Sequence, residues 1–267
     1  MRLAYNLIAL DVDGTLLTDE HKLPKDVKEA VREASTAGAQ IVLCTGRGPM
    51  GAFPVLEELG LSGVLITHNG AATVRSEDRA ILFQYDIDKK DLTDFIAYCK
   101  AQGIHYDLNT AFDMMVERMT DEAKAMYAHH KVEPIERSFD GSLPDGLVKF
   151  TLFGTKEQMD AVQADWANRP TNLQLIRSGD LFIDVQNPDA SKGTALRRLA
   201  AEIGIGREKI LAIGNYYNDI SMLEFAGLGI AMSNSPDAVK DAADLTAGSN
   251  NEGGVAAALR THAWTRE

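Results

Sequence analysis

Residues 6–10 form a short apolar run that stops abruptly at Asp11 and an Asp13-Gly14 turn signal. An uninterrupted apolar run of this length, bounded by turn residues, predicts a strand buried on both faces. Val27, Ala30, Val31 and Ala34 then recur at helical spacing between Pro24 and Gly38, predicting a helix over residues 24–37. Further buried strands are predicted at 40–44 and 64–67. Val55, Leu56 and Leu59 mark a helix between them, closed by Gly60. Strand, helix, strand in this rhythm predicts a parallel sheet covered on both faces.

The rhythm loosens between residues 83 and 187. Two amphipathic helices are predicted at 89–102 and 156–168, among weakly patterned strands. The apolar stretches 173–176 and 181–185 flank Arg177-Ser178-Gly179-Asp180 and predict a hairpin. The alternation resumes with a helix at 194–203, a strand at 210–213, a helix at 220–225, a strand at 229–231 and a helix at 238–243. The simplest organisation is a discontinuous, Rossmann-like α/β core over 1–82 and 188–267, carrying an α+β insert over 83–187.

Composition narrows the function classes. The 267 residues carry 39 acidic and 27 basic side chains, net charge -12. That balance argues against nucleic acid or an anionic membrane as the main partner. No stretch approaches the apolar length of a membrane helix, and no leader pattern is visible. Cys44 and Cys99 stand far apart, so neither a disulfide framework nor a zinc site is expected, and the reducing cytoplasm is the expected compartment. No long apolar stripe decides between monomer and homodimer.

Four polar segments follow apolar strands or open a helix: Asp11-Val12-Asp13-Gly14-Thr15-Leu16, Thr45-Gly46-Arg47, Ser191-Lys192-Gly193 and Gly214-Asn215-Tyr216-Tyr217-Asn218-Asp219. In an open parallel sheet, ligands gather beyond the carboxyl ends of the strands, where Asp11, Thr45 and Gly214 would all stand. Two carboxylates at i and i+2 can divide the work, one binding a cation and attacking, the other moving a proton. Oxygen-only ligands suit Mg²⁺. A threonine hydroxyl, free amides near Gly46 and the Lys192 ammonium would hold a phosphoryl group and its developing charge. Aspartate attack on phosphorus is a known form of covalent catalysis.

The ordered set resembles the haloacid dehalogenase superfamily, in particular its Cof-type (subfamily IIB) sugar phosphatases. The likeness covers essentially the whole chain through Asp11-Val12-Asp13-Gly14-Thr15-Leu16-Leu17, Cys44-Thr45-Gly46-Arg47, His68-Asn69-Gly70-Ala71, Ser191-Lys192-Gly193, and the tail from Gly214 through Ala231-Met232-Ser233-Asn234. The resemblance implies a C2-type cap closing over the catalytic edge of the core. It implies Asp11 as nucleophile and Mg²⁺ ligand, and Asp13 as general acid/base whose carbonyl also binds the metal. Thr45 and Lys192 would contact the phosphoryl group, with Asp219 completing the metal site. Gly46, Asn69 and Asn218 are further candidates for binding phosphate or leaving group. Arg177, Asp180 and Asp184, in or beside the hairpin, are candidates for substrate contact. The implied activity is Mg²⁺-dependent hydrolysis of small phosphorylated metabolites, sugar phosphates first.

One position departs from the family pattern. Asn215 stands where the last motif usually carries a metal-binding Asp. Asn keeps the shape and one oxygen but loses a charge, which predicts weaker Mg²⁺ binding. Two competing readings stay open: an impaired protein that binds a phosphate ligand without turnover, and a phosphomutase. Elsewhere the residues favour plain structure. Cys44 reads as a buried apolar side chain, Met114 and Met115 as packing, His129-His130 beside Lys131 as a solvated helix end, and Asp140-Gly141 and Pro144-Asp145-Gly146 as loops. His68 is placed near the pocket without a catalytic role.

Overall fold

The computed structural model describes residues 2–129, 132–139 and 142–265, so His130, Lys131, Asp140 and Gly141 lie outside the described residues. Two compact units share the chain, Met1–Phe83 with Ser191–Glu267 forming one and Gln84–Ala190 the other. Seven elements come first: β1 (Leu7–Leu10), α1 (Lys25–Thr36), β2 (Gln40–Cys44), α2 (Pro49–Leu59), β3 (Val64–Thr67), β4 (Ala72–Arg75) and β5 (Ile81–Gln84). The second unit holds α3 (Thr93–Gln102), β6 (His105–Thr110), β7 (Met114–Val116), α4 (Asp121–His129), β8 (Ile135–Glu136), β9 (Leu147–Phe153), α5 (Lys156–Trp166), β10 (Gln174–Gly179) and β11 (Phe182–Gln186). The chain returns to the first unit with α6 (Lys192–Glu202), β12 (Ile210–Gly214), α7 (Ile220–Phe225), β13 (Leu228–Ala231), α8 (Asp237–Asp241), β14 (Leu245–Thr246) and α9 (Gly254–His262).

Among the described residues the first unit is built on one sheet in the order β14-β13-β12-β1-β2-β3-β4-β5. From β14 to β3 every pairing is parallel, and β4 turns back antiparallel on β3. The expected α/β, Rossmann-like architecture is present. β1 is buried along its whole length because it lies mid-sheet with helices on both sides, the reason its sequence shows no alternation. On one side α6 and α7 press Leu196, Leu199, Met222 and Leu223 against Leu7, Ala9, Val42 and Ala212. α1 and α9 pack on each other and bury Val27, Val31, Val255 and Leu259. Register aligns Leu10 with both Leu43 and Ile213, so the chain leaves β1, β2 and β12 along one sheet edge.

Among the described residues the second unit is built on a six-stranded sheet in the order β10-β11-β9-β6-β7-β8, antiparallel except between β7 and β8. The expected hairpin is β10–β11, with an irregularity in register between Arg177 and Gly179. One sheet face carries Tyr106, Leu108, Phe150, Leu152, Ile183 and Val185 against α3 and α5. The other carries Asp107, Asn109, Lys149, Thr151 and Asp184, all buried. They bond mutually: Asn109 Nδ2 donates to Asp107 Oδ1 at 2.5 Å, Tyr127 Oη to Asp107 Oδ2 at 3.0 Å, and Thr151 Oγ1 to Asp184 Oδ1 at 3.2 Å. Burial, against the pull of Lys149, pushes the Asp107 carboxyl up to about 6.

Some expected boundaries shift for local reasons. The helix expected over 89–102 begins as a 3-10 turn at Lys89–Leu92, with Asp88 accepting from the Lys90 amide, before α3 starts at Thr93. α5 starts where Thr155 and Gln158 form a reciprocal capping box, and ends at Trp166. Cys44 is fully buried, as expected, and burial pushes its thiol up. Met115 packs in the main core of the second unit and Met114 against a smaller cluster.

The Phe95 ring stacks on Trp166 with centroids 3.7 Å apart, tying α3 to α5. Phe95→Ala is expected to lower stability in urea by about 3–5 kcal/mol. An unchanged unfolding midpoint would show that this stack does not hold the two helices.

Candidate active site

Asp11 leaves the end of β1, and Lys192 opens α6 where Ser191 caps the helix by accepting from the Thr194 amide. Close backbone packing fixes the start of α6. A Cβ on Gly70 would lie 2.1 Å from the Ser191 carbonyl oxygen, and one on Gly193 would lie 2.2 Å from that of Ser221. Only glycine admits both approaches. Lys192 Nζ is thereby delivered 2.7 Å from Asp11 Oδ1 and 2.5 Å from Asp219 Oδ1, with all three side chains buried. Burial works against the Lys192 charge, but Asp11 and Asp219 hold its proton more firmly than usual. Burial, then the Asp219 charge, pushes Asp11 up to about 7 despite Lys192.

Asp219 is the second carboxylate on Lys192. Its Oδ2 accepts from the main-chain amides of Asn215 and Tyr216, at 2.8 and 3.0 Å, while Oδ1 is on Lys192. Both oxygens are thus engaged, and Asp219 shapes the loop after β12. The Asn215 side chain instead reaches Asp11. Its amide orientation follows from its neighbours. With the nitrogen inward, it stands 3.0 Å from Asp11 Oδ2, 2.9 Å from the Asp13 carbonyl and 3.1 Å from Thr15 Oγ1, three acceptors for its two N–H groups. With the oxygen inward, it accepts from Thr15 Oγ1 at 3.1 Å but faces the Asp13 carbonyl, which cannot donate, and the Asp11 carboxylate.

Asp13 is half-exposed and held by Arg47, whose Nε and Nη2 donate to Oδ2 and Oδ1 at 2.7 and 2.5 Å. Arg47 belongs to the Thr45-Gly46-Arg47 segment, but nothing in the pattern of the sequence assigns it this partner. The loop from Asp11 to Leu17 folds on itself through Leu17 N to the Val12 carbonyl at 3.0 Å. Asn234 and Asn250 secure it by donating to the carbonyls of Gly14 and Leu17. Asn250 lies in a glycine- and asparagine-rich stretch that reads as an ordinary turn, so sequence offered no signal for it.

Thr45 is buried just beyond β2, and its hydroxyl accepts from the Arg47 amide at 3.1 Å. Asn69 sits in a left-handed turn, φ 57°, donating its main-chain amide to the Thr45 carbonyl at 3.0 Å. Its side-chain oxygen accepts from Asn218 Nδ2 at 2.9 Å, and a Cβ on Gly46 would lie 2.8 Å from that oxygen. Thr45, Gly46, Asn69 and Asn218 therefore form one patch at the same sheet edge. Arg177 lies in the second unit, where its guanidinium binds the carbonyls of Gly179 and Asp180 and pairs with Asp160 at 3.2 Å. Those contacts brace the hairpin turn against α5. Asp184 is paired with Lys149 at 3.6 Å, and the Asp180 carbonyl serves Arg177.

For a divalent cation, the donor chemistry fits. Asp11 Oδ2, the Asp13 carbonyl and the amide of Asn215 converge, and the amide could present its oxygen in place of its nitrogen. All three are hard oxygen donors, the type Mg²⁺ prefers. Among the described residues no three His, Cys, Asp or Glu side chains gather as a metal cluster.

The family model for haloacid dehalogenase-like hydrolases matches residues 8–259. The chain belongs to the haloacid dehalogenase-like hydrolases. This hydrolase is 32% identical over 267 residues to the YxeH protein of Bacillus subtilis strain 168, covering 96% of this chain and 97% of that one. It is 29% identical to the phosphatase YwpJ of the same organism, covering 94% and 97%. Its fold matches the solved structure of a sugar phosphatase of subclass IIB with a TM-score of 0.83 and 26% identity, covering 96% and 98%. It is accordingly an enzyme of the phosphatase type.

The buried Lys192 predicts a clear stability effect. Lys192→Met removes the ammonium shared by Asp11 and Asp219 and is expected to cost about 3–5 kcal/mol near pH 8. Urea unfolding would measure it, and a cost below about 1 kcal/mol would contradict the charge balance described. Asp11 adds a pH dependence in chelator. Its carboxyl holds a proton more tightly folded than unfolded, so it favours the fold at acid pH, and this contribution is lost as pH rises through about 7. Thermal unfolding between pH 5 and 8 should fall more steeply for the unaltered protein than for Asp11→Asn. Parallel profiles would count against it.

Proposed function

We propose that the protein is a Mg²⁺-dependent phosphatase of small phosphorylated metabolites, sugar phosphates first, working in the cytoplasm. The observation carrying this reading is Asp11 at the carboxyl edge of the parallel sheet, oriented through one oxygen by buried Lys192. The sugar phosphatase of subclass IIB with the same fold supports the substrate class, and Cys44 and Cys99, both unpaired and buried, accord with a reducing compartment. In this reading Met1–Phe83 with Ser191–Glu267 carries the chemistry, and Gln84–Ala190 selects the substrate.

Asp11 attacks phosphorus, forming an aspartyl-phosphate as the bond from phosphorus to the leaving oxygen breaks. Asp13 gives the leaving alkoxide its proton. The Asp13 carboxylate then takes a proton from water, whose oxygen attacks phosphorus and frees Asp11 and inorganic phosphate. To carry that proton, Asp13 releases one arm of the Arg47 fork. Lys192 steadies the attacking carboxylate, and the patch of Thr45, Gly46, Asn69 and Asn218 supplies polar groups for the phosphoryl oxygens. Asp11, the Asp13 carbonyl and Asn215 would hold Mg²⁺, which supplies positive charge against the phosphoryl oxygens. Asn215 in place of Asp weakens that binding.

Phosphate release from a panel of sugar phosphates and an aryl phosphate, across a Mg²⁺ titration, tests the reading. Turnover is expected to rise with Mg²⁺ and to fall at least about a thousandfold in Asp11→Asn. Isomerised sugar phosphate without free phosphate would indicate a mutase. Ligand binding with no turnover at any Mg²⁺ concentration would indicate a binding protein.

A further inference from the structure

Asn215 does more than lack a charge. Its amide nitrogen stands within 3.1 Å of three oxygens that come from a different stretch of chain: Asp11 Oδ2, the Asp13 carbonyl and Thr15 Oγ1. The first two are the oxygens read above as cation ligands. The contact is tight, since a Cβ on Gly14, at φ +74°, would lie 2.4 Å from the end of the Asn215 side chain. The loop after β1 is therefore shaped around this amide. Asp11 then has one oxygen on Lys192 and the other on Asn215, so both are satisfied by donors from the protein itself.

We propose that the Asn215 amide is a built-in stand-in for the cation, bridging the Asp11 carboxylate and the Asp13 carbonyl in the metal-free protein. This deepens, and rests on, the reading of those oxygens as the cation site. An aspartate at 215 could not play this part. It would bring another carboxylate to Asp11 Oδ2 and the Asp13 carbonyl, and only a cation would relieve the repulsion. The amide can serve both states, donating through nitrogen when metal is absent and accepting through oxygen after a half-turn about its terminal bond. The consequence is a folded state that does not depend on Mg²⁺, in exchange for weaker Mg²⁺ binding.

Thermal unfolding in chelator and in saturating Mg²⁺, without substrate, tests this for the unaltered protein, Asn215→Asp and Asn215→Ala. At one fixed Mg²⁺ concentration the unaltered protein should gain less over chelator than Asn215→Asp does, because it binds the ion more weakly. Asn215→Asp should unfold at least about 3 °C lower in chelator and recover in Mg²⁺. Asn215→Ala loses the bridge without adding repulsion, so it should fall by less and keeps the test readable if Asn215→Asp does not fold. Calorimetric titration with MgCl₂ should give at least about tenfold tighter binding for Asn215→Asp. Both variants unfolding with the unaltered protein in chelator would overturn the bridge. Neither protein binding Mg²⁺, with the deficit in chelator intact, would overturn the cation-site reading and still support the bridge.

Discussion

A single ammonium group between two buried carboxylates organises the carboxyl edge of the parallel sheet, where the candidate site lies. Lys192 Nζ is within 2.7 Å of both Asp11 and Asp219, with no exposure to water. Removing charges from water is costly, and leaving one carboxylate unpaired there would be costlier still. This constraint joins three separated parts of the chain: the end of β1, the first turn of α6 and the loop after β12. The glycine contacts at positions 70 and 193 are what let α6 come close enough to deliver the lysine. Two carboxylates against one ammonium leave an excess of negative charge, and the hydrogen bonds from Asn215 and from the main-chain amides of Asn215 and Tyr216 spread it.

Much of the parallel sheet was legible because its strands are buried on both faces. Runs such as Leu7–Leu10 and Ile210–Gly214 leave no polar position to confuse the pattern. The pair β4 and β5 escaped notice because Thr73 and Arg75 interrupt the first and the second is only partly buried, and α9 because it opens on the glycines at 253 and 254. The insert was read only in outline for a different reason. Its strands alternate properly, but the second face is filled with buried polar side chains such as Asp107, Asn109 and Lys149. A buried polar residue looks like an exposed one in sequence, since its hydrogen-bond partners lie on neighbouring strands.

The same distinction separates what could and could not be read of the candidate site. The polar segments, their order and the replacement at Asn215 are plain in the sequence. Which oxygen each group addresses is not. Asp219 reads as a ligand and is found with both oxygens engaged. Arg177 reads as a substrate contact and is found bracing its own hairpin. Arg47 carries no expectation and is found holding Asp13. These partners depend on side-chain direction at element ends, which residue spacing does not encode.

The position of β1 in the sheet has a consequence for how the chain reaches this state. Leu7 pairs with Gln40 on one side and with Ile210 on the other. The second pairing spans some 200 residues, and contacts so distant in sequence are slow to form. During synthesis, β1 and β2 emerge early with an open sheet edge, while the insert completes its own sheet from contiguous chain. Only when β12 follows can that edge close and Lys192 find both its carboxylates. Assembly of this sheet edge is therefore a late event in folding, and the half-built sheet before it is the stage most exposed to aggregation.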